Sequence, residues 1–479
     1  MSSPMWITTD SSDQQGQYQH EQHEQPEQPR LENLPKEILL NIFEFCTTDS
    51  LQAMATMNAE FATLILTSFN LNDKRLHINA LPTELLLHIF SFLDRKSLAQ
   101  ASKVNRRFQD VAYDDSLWVN SARLCLVTNT SHESIQNRCR DLPSARDRVR
   151  VSRNWLDRRY SETLLLTQEV KYMPRIQLED RHLWVSWGNR IWAHPRMDQG
   201  RVKRTTTRVL KGHNDDVSRF VVKNGIIVSG GRDRALVGWQ SETGRFLFAK
   251  RNCHQSEISA VDLVTNSGVI VTGSRDKLVK IWSYDASKDN FPALYETIDT
   301  ADRVWSLEAN PMGDCVAIGT AGWGGVPSLH LLDLNTTRPL FPVSQGLKRG
   351  AGILDLHWMS NQTFLSCGYD TTARLWDLRT GSWERVWTEP FDEAVYCLAT
   401  DKNMTLICGT ARHGLVRLWD MRQEKPVQMY YTKHPHNGQS SPVYSVAFDP
   451  FHLYVALDQS LSLLSFSGLD NNRKGQYRF

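Results

Sequence analysis

From about residue 163 the chain alternates apolar and polar residues at every second position, breaks at Gly, Asp and Asn, and then repeats itself at a nearly constant interval. Alternation of that kind is the period of a half-buried strand. The clearest unit, "KGHNDDVSRFVVKNGIIVSGGRDRALVGWQ", holds Gly212-His213, a strand through Phe220 and Val222, a second strand ending at Ser229-Gly230, a turn at Asp233, and a third strand closing on Trp239. The next unit repeats it with His254, Thr272, Asp276 and "VKIW" ending at Trp282, and "SCGYDTTARLWD" and "CGTARHGLVRLWD" follow. The residues closing the third strands are Trp192, Trp239, Trp282, Leu332, Trp376, Trp419 and Leu464, spaced 47, 43, 50, 44, 43 and 45 apart. Seven anchors predict seven small sheets, each too thin to bury its faces alone, arranged as a closed ring. The last unit, Pro442 to about Ser467, supplies only three strands. The stretch "ETLLLTQE" ahead of the first unit can supply its fourth, which would remove the exposed edges.

The period, with its Gly-His and Trp-Asp signatures, resembles that of a WD-type β-propeller, predicted here over 162–467. In that family the His, a Ser/Thr of the second strand, the turn Asp and the Trp form a hydrogen-bonded tetrad. The resemblance implies His213–Ser229–Asp233–Trp239 and His254–Thr272–Asp276–Trp282 here. Such Ser/His/Asp groupings look catalytic, but buried polar groups must be satisfied and the Trp ties each set into its blade, so the structural reading is preferred. Ser366, Asp370 and Trp376 form a set without the His. The unit ending at Leu332 replaces its Asp turn with "GTAGWGGVPS", which lacks the Lys and Ser/Thr of a phosphate cradle and is read as an insertion. Because strands alternate in direction, the Gly-His and Asp-turn loops share one face, here called the top, and the N-terminal helices are expected on the opposite face.

Ahead of the ring the texture is helical, and one phrase occurs twice: "LPKEILLNIFEFCTTDSLQAMATMNAEF" from Leu34 and "LPTELLLHIFSFLDRKSLAQASKVNRRF" from Leu81. Leu85, Leu86, Ile89, Phe90 and Leu93 recur at three- and four-residue spacing, which marks an amphipathic helix, with Pro82 and Glu84 suited to its first turn. "DRKSLAQASKVNRRFQDVA" predicts a second helix with Leu98, Ala101, Val104 and Phe108 on one face, and "DDSLWVNSA" a third around Leu117 and Trp118. So small a unit cannot hide all these apolar groups, and a partner is expected to cover the remainder.

These residues (Leu81-Pro82, Glu84, Ile89-Phe90, Phe92-Leu93, Leu98, Val104, Arg107-Phe108, Leu117-Trp118) resemble an F-box, and an F-box ahead of a propeller resembles the F-box/WD-repeat substrate receptors; "RVRVSRNWLDRRY", "MPRIQLEDRHLWVS", "DRVWSL", "LSCGYDTTARLWDLRT" and "SSPVYSVAF" resemble the dactylin type among them. The fold class expected is therefore mainly β with an α-helical N-terminal module: a seven-bladed WD-type propeller preceded by a helical F-box. The resemblance implies docking on a Skp-type adaptor of a cullin–RING ubiquitin ligase through Leu81, Pro82, Glu84, Leu85, Ile89, Phe90, Leu93, Leu98, Val104, Phe108 and Trp118. It also implies a non-catalytic role, with no cofactor. The boundaries expected are a polar Gln/Glu/His-rich tail at 1–30, an F-box-like repeat at 31–78, the F-box at 79–125, a basic helical linker at 126–161 and a tail at 468–479. The repeat keeps Leu34, Pro35, Glu37, Ile42, Phe43, Phe45, Leu51 and Phe61 in register but has Cys46-Thr47 for Leu93-Asp94 and lacks a counterpart of Trp118. It is read as a decayed duplication packing on the F-box, against a second adaptor site.

The substrate site is expected on the top face near the channel: first-strand positions Ser218, Ser259, Trp305, Leu354, Tyr396 and Tyr444, with Arg232, Arg275 and Tyr369 from the turns. Aromatics with Arg are the composition of binding hot spots. An apolar peptide bearing one or two anionic groups is favoured over a phosphate-reading pocket. The stretch from Arg146 to Arg159 is read as a linker helix packing Trp155 under the propeller. His434 and His436 are placed in a top-face loop. With 55 basic and 53 acidic residues the chain has no global field to draw it to nucleic acid or membrane. Scattered cysteines argue against zinc or disulfides and are read as thiols buried in strands. No apolar run approaches membrane-spanning length, and the N-terminus lacks a signal pattern, so a soluble protein of cytoplasm or nucleus is expected. The competing reading is a WD scaffold for protein or ribonucleoprotein complexes without ubiquitination, which would not need the adaptor.

Overall fold

The computed structural model describes Ile78 and residues 81–197, 200–203, 205–206, 208–285, 291–323, 325–340, 347, 349–432 and 441–468. The F-box-like repeat, the two tails and the His434/His436 loop, as read from the sequence, lie outside these residues, apart from Ile78 and Gly468. The chain forms two compact units that divide between Leu117 and Trp118.

In the smaller unit, α1 (Thr83–Ser91) starts after Pro82 and carries Glu84 in its first turn. The fixed φ of proline suits a helix entry. The single helix expected over residues 94–112 is two: α2 (Arg95–Ala101) and α3 (Arg106–Ala112). The break has a local cause. Asn105 takes up extended backbone, and its side chain caps α3 by accepting from the Phe108 amide at 2.8 Å. Asp94 caps α2 in the same way, accepting from the Ser97 amide at 2.8 Å. Both are residue types that favour this position, because a short side-chain oxygen satisfies an amide the helix leaves open. Phe90 meets Phe108 edge-on at 5.2 Å, a geometry aromatic pairs prefer. The Arg107 guanidinium donates to the Leu81 carbonyl, tying α1 to α3.

The larger unit is a ring of seven antiparallel sheets. Blades 1 to 6 run in chain order over residues 175–211, 217–250, 258–299, 304–333, 353–388 and 395–431, and blade 7 occupies 445–465. Every anchor residue predicted from the spacing lies in the third strand of its blade. Blade 7 takes Ser161–Thr167 as its outer strand, paired from Ser161 opposite Ser465 to Thr167 opposite Ser460 with one register shift between Leu164 and Leu166, so the two ends of the ring interlock as expected. Blade 4, whose Asp turn is replaced, has three strands among the described residues. Seven described cysteines are free and buried, but Cys125, Cys139 and Cys253 lie outside strands, where loop and helix packing covers them instead.

The tetrads are structural. His254 bridges Asp276 (Nδ1 to Oδ2, 2.9 Å) and Thr272 (Nε2 to Oγ1, 2.8 Å), and the Trp282 indole donates to the same Thr272 hydroxyl at 2.9 Å. Burial holds His254 below its ordinary pKa. Asp276 is also buried, which pushes it up, but the Gln255 amide and His254 hold it below the usual carboxylate range. His213 repeats the arrangement with Asp233 at 2.8 Å and Ser229 at 2.7 Å, and Trp376 donates to Ser366 at 2.8 Å. Each His lies inside its blade with both ring nitrogens engaged, leaving no nucleophile for a substrate. Thr272→Val removes a hydroxyl shared by two buried groups, whereas Ser366→Ala removes one that serves a single indole. Each orphaned group is expected to cost about 1–3 kcal/mol, so the first variant should lose about twice as much as the second. Equal denaturation midpoints for the two variants would contradict this.

On the bottom face, α4 (Val119–Arg123), α5 (Glu133–Gln136) and α6 (Ala145–Leu156) lead into the ring. The basic stretch is α6, and Trp155 on it is fully buried. Its indole donates to the Pro450 carbonyl at 2.8 Å, stacks on Phe466 at 3.8 Å, and meets Tyr430 and Phe448 edge-on. Arg138 donates to the Thr400 carbonyl at 3.1 Å, beneath blade 6. Beside the interlock, Arg196 of blade 1 pairs with Asp449 of blade 7, both side chains buried, and also donates to the Glu179 carbonyl at 2.6 Å.

Candidate functional site

The helical residues expected to meet an adaptor separate into two groups. Phe90, Leu98, Phe108 and Trp118 are buried within the chain itself. Their role is to hold the helices in place, which corrects the expectation that they contact a partner. Trp118 belongs to the larger unit, where α4 continues directly from it and packs on α6. Leu81, Pro82, Glu84, Leu85, Ile89, Leu93 and Val104 remain at least partly exposed, and Leu85 is half exposed. Pro82, Leu85, Ile89 and Leu93 follow one another at three- and four-residue intervals, a single stripe along α1 and its end. Val104 stands in the turn before Asn105, off the face the continuous-helix reading gave it.

On the top face a shared backbone device sets the candidate residues. In blades 2 to 6 the pairing of first and second strands slips by one residue, and the residue left over is Ser218, Ser259, Trp305, Leu354 or Tyr396. A bulge leaves its extra residue unpaired and re-aims its side chain. All five are partly exposed, as is Tyr444 at the start of blade 7. Four aromatics meet in series across blades 4 to 7: Trp305–Tyr369 at 5.3 Å, Tyr369–Tyr396 at 5.9 Å and Tyr396–Tyr444 at 6.0 Å between ring centres. Burial, then the hydrogen bond with Tyr369, pushes the Tyr396 phenol far above its ordinary value, so that rung is uncharged. Ser259 is tied to the Val304 carbonyl. Leu354 lies between the Trp305 and Tyr396 blades.

The two turn arginines are not free. Arg275 pairs with Glu257 at 2.6 Å, and Arg232 sits between Asp216 at 3.4 Å and the same Glu257 at 3.8 Å. Two cations face two carboxylates, so this rim is neutral. An anionic group arriving here would compete with Asp216 and Glu257 for Arg232 and Arg275. Glu257 and Asp216 escaped the sequence reading, although each stands two residues before a bulge serine and marks the same position in consecutive units.

Residues 78–123 match the family model described as F-box-like, and residues 246–283 and 345–377 match the WD domain, G-beta repeat. A Mus musculus protein described as F-box/WD repeat-containing protein 4 is 38% identical over 356 residues, 74% of this chain and 84% of that protein. Its Homo sapiens counterpart, of the same description, is 37% identical over the same shares.

Proposed function

The chain belongs to the F-box/WD-repeat family, and from that premise we propose that it is the non-catalytic substrate receptor of a Skp–cullin–F-box ubiquitin ligase, working in the cytoplasm or nucleus. The observation that carries the adaptor half is the α1 stripe, because Pro82, Leu85, Ile89 and Leu93 stay at least partly uncovered by the described residues of the chain. An adaptor groove that buries such a stripe gains roughly 1.5–3 kcal/mol for each large apolar side chain. The substrate half rests on the aromatic ladder, a run of large rigid rings with little rotamer entropy to lose. Holding substrate and ligase machinery on one scaffold makes ubiquitin transfer effectively intramolecular, so the receptor accelerates it by positioning.

Leu85→Asp with Ile89→Asp places two charges in the stripe without touching Phe90 or Phe108. Loss of adaptor co-purification by at least about a hundredfold is expected, the equivalent of two lost apolar contacts, with the propeller's thermal transition unchanged. Adaptor recovery at the original level would sink the assignment and return the scaffold reading.

A further inference from the structure

Beneath the aromatic ladder the channel has a charged floor. Arg219, on the first strand of blade 2, pairs with Asp355, on the first strand of blade 5. Two blades separate them one way around the ring and three the other, so the pair spans the channel as a bar. The other oxygen of Asp355 accepts from the Leu398 amide at 3.0 Å, so the carboxylate is fully engaged. Arg175 opens the first strand of blade 1 beside Arg219. One of its terminal nitrogens donates to the Tyr444 carbonyl at 2.6 Å, directly under the last rung of the ladder, and its Nε is buried with no partner. Among the described residues no carboxylate lies within ion-pair distance of Arg175. Burial and the neighbouring Arg219 push its guanidinium down to about 10, the mark of an under-compensated cation. The Asp355 carboxylate is thus taken by Arg219, and Arg175 stands beside it without an ion pair at the end of an aromatic passage.

We propose that the mouth of the channel is a receptor for a peptide C-terminus, with the terminal carboxylate held by Arg175 and the open side of Arg219 and the preceding apolar side chains laid on Trp305, Tyr369, Tyr396 and Tyr444. Three features select this occupant. Arg175 has no ion-pair partner among the described residues and an unpartnered buried Nε, and a guanidinium fork fits a carboxylate in two-point contact. The walls are aromatic and neutral, so a densely phosphorylated segment finds no matching rim, since Arg232 and Arg275 are held by Asp216 and Glu257. The bar crosses the channel below the mouth, so a chain end, which crosses the mouth once, reaches Arg175 more readily than a loop that must enter and leave. Capture of a chain-end carboxylate is a general mode of peptide recognition. The inference rests on the reading that the top face holds the substrate.

The test uses the full chain with its adaptor and two fluorescein-labelled octapeptide pools, each with Leu, Phe and Tyr randomised over the last three positions. One pool ends in a free carboxylate and the other in an amide. Anisotropy is expected to show binding of the free-acid pool and at least about tenfold weaker binding of the amide pool, the loss of one charge-assisted contact. Arg175→Met should bring the free-acid pool down to the amide level, Arg175→Lys should recover part of it, and Arg232→Glu should change little. Equal binding of the two pools, or binding of neither, overturns the proposal. So does tight binding of an amidated pool carrying an internal Glu, which would make the ligand an acidic side chain. A cellular substrate lost with Trp305→Ala but retained with Arg175→Met would refute the C-terminus assignment and leave the top-face receptor standing.

Discussion

Trp155→Ala is expected to destabilise the larger unit by about 3–5 kcal/mol, the range for removing a fully buried aromatic. The side chain joins α6 to blades 6 and 7 at once: it stacks on Phe466, meets Tyr430 and Phe448 edge-on, and donates its indole proton to Pro450. Its own carbonyl accepts from the Tyr430 hydroxyl at 2.8 Å. The three rings around it are themselves fully buried, so they have little room to collapse into the cavity, and α6 would lose its main hold on the ring. The expected signature is accelerated hydrogen exchange over residues 119–156 together with a lowered denaturation midpoint. Trp155→Phe should recover part of the stability, keeping the stack but not the indole bond. A loss of under about 1 kcal/mol for Trp155→Ala would show that other contacts, such as Arg150 on the Ser467 carbonyl and Asn154 on the Phe466 carbonyl, hold the helix instead.

Asp355→Ala is expected to be comparably severe, because it removes the ion-pair partner of Arg219 and a negative charge that also acts on Arg175. Breaking a buried pair from one side costs about 3–5 kcal/mol, most of it the uncompensated charge left behind. The same argument requires that removing the bar whole is gentler. Asp355→Leu with Arg219→Met should recover much of the loss, and a double variant as unstable as the single would refute the account. Acid provides a second check. Burial pushes the Asp355 carboxyl up, but Arg219, His357 and Arg175 hold it below the usual range. Its stabilising contribution is therefore present above the unfolded value of about 3.9 and is lost as pH falls through the lower folded value. The gap between parent and Asp355→Ala should narrow below about pH 4.

The ring was legible because each blade reports itself locally. Period-two alternation, a turn Asp and a closing Trp all fall within one unit, and "ETLLLTQE" finds its place because the last unit is one strand short. The amphipathic spacing of α1 was legible for the same reason, since three- and four-residue recurrence is a local property, although which of its apolar residues stay exposed was not. Asn105 shows where local reading failed. The apolar spacing ran straight through it, and only its extended backbone and capping side chain reveal two helices. The rim arginines failed differently: their position was right, but their availability depended on Glu257, which comes from a neighbouring loop.

Spacing and residue type alone determined the number of blades, the position of each third strand, the closing strand from before the first unit, and the amphipathic face of α1. These follow from chain-local periodicity, which folding preserves. Tertiary structure alone decided which apolar residues are covered, which arginines are neutralised, and that Arg219 reaches across the ring to a residue 136 positions away. The reason is that a strand's period fixes which side a residue faces but carries no information about what stands on the far side of a closed channel.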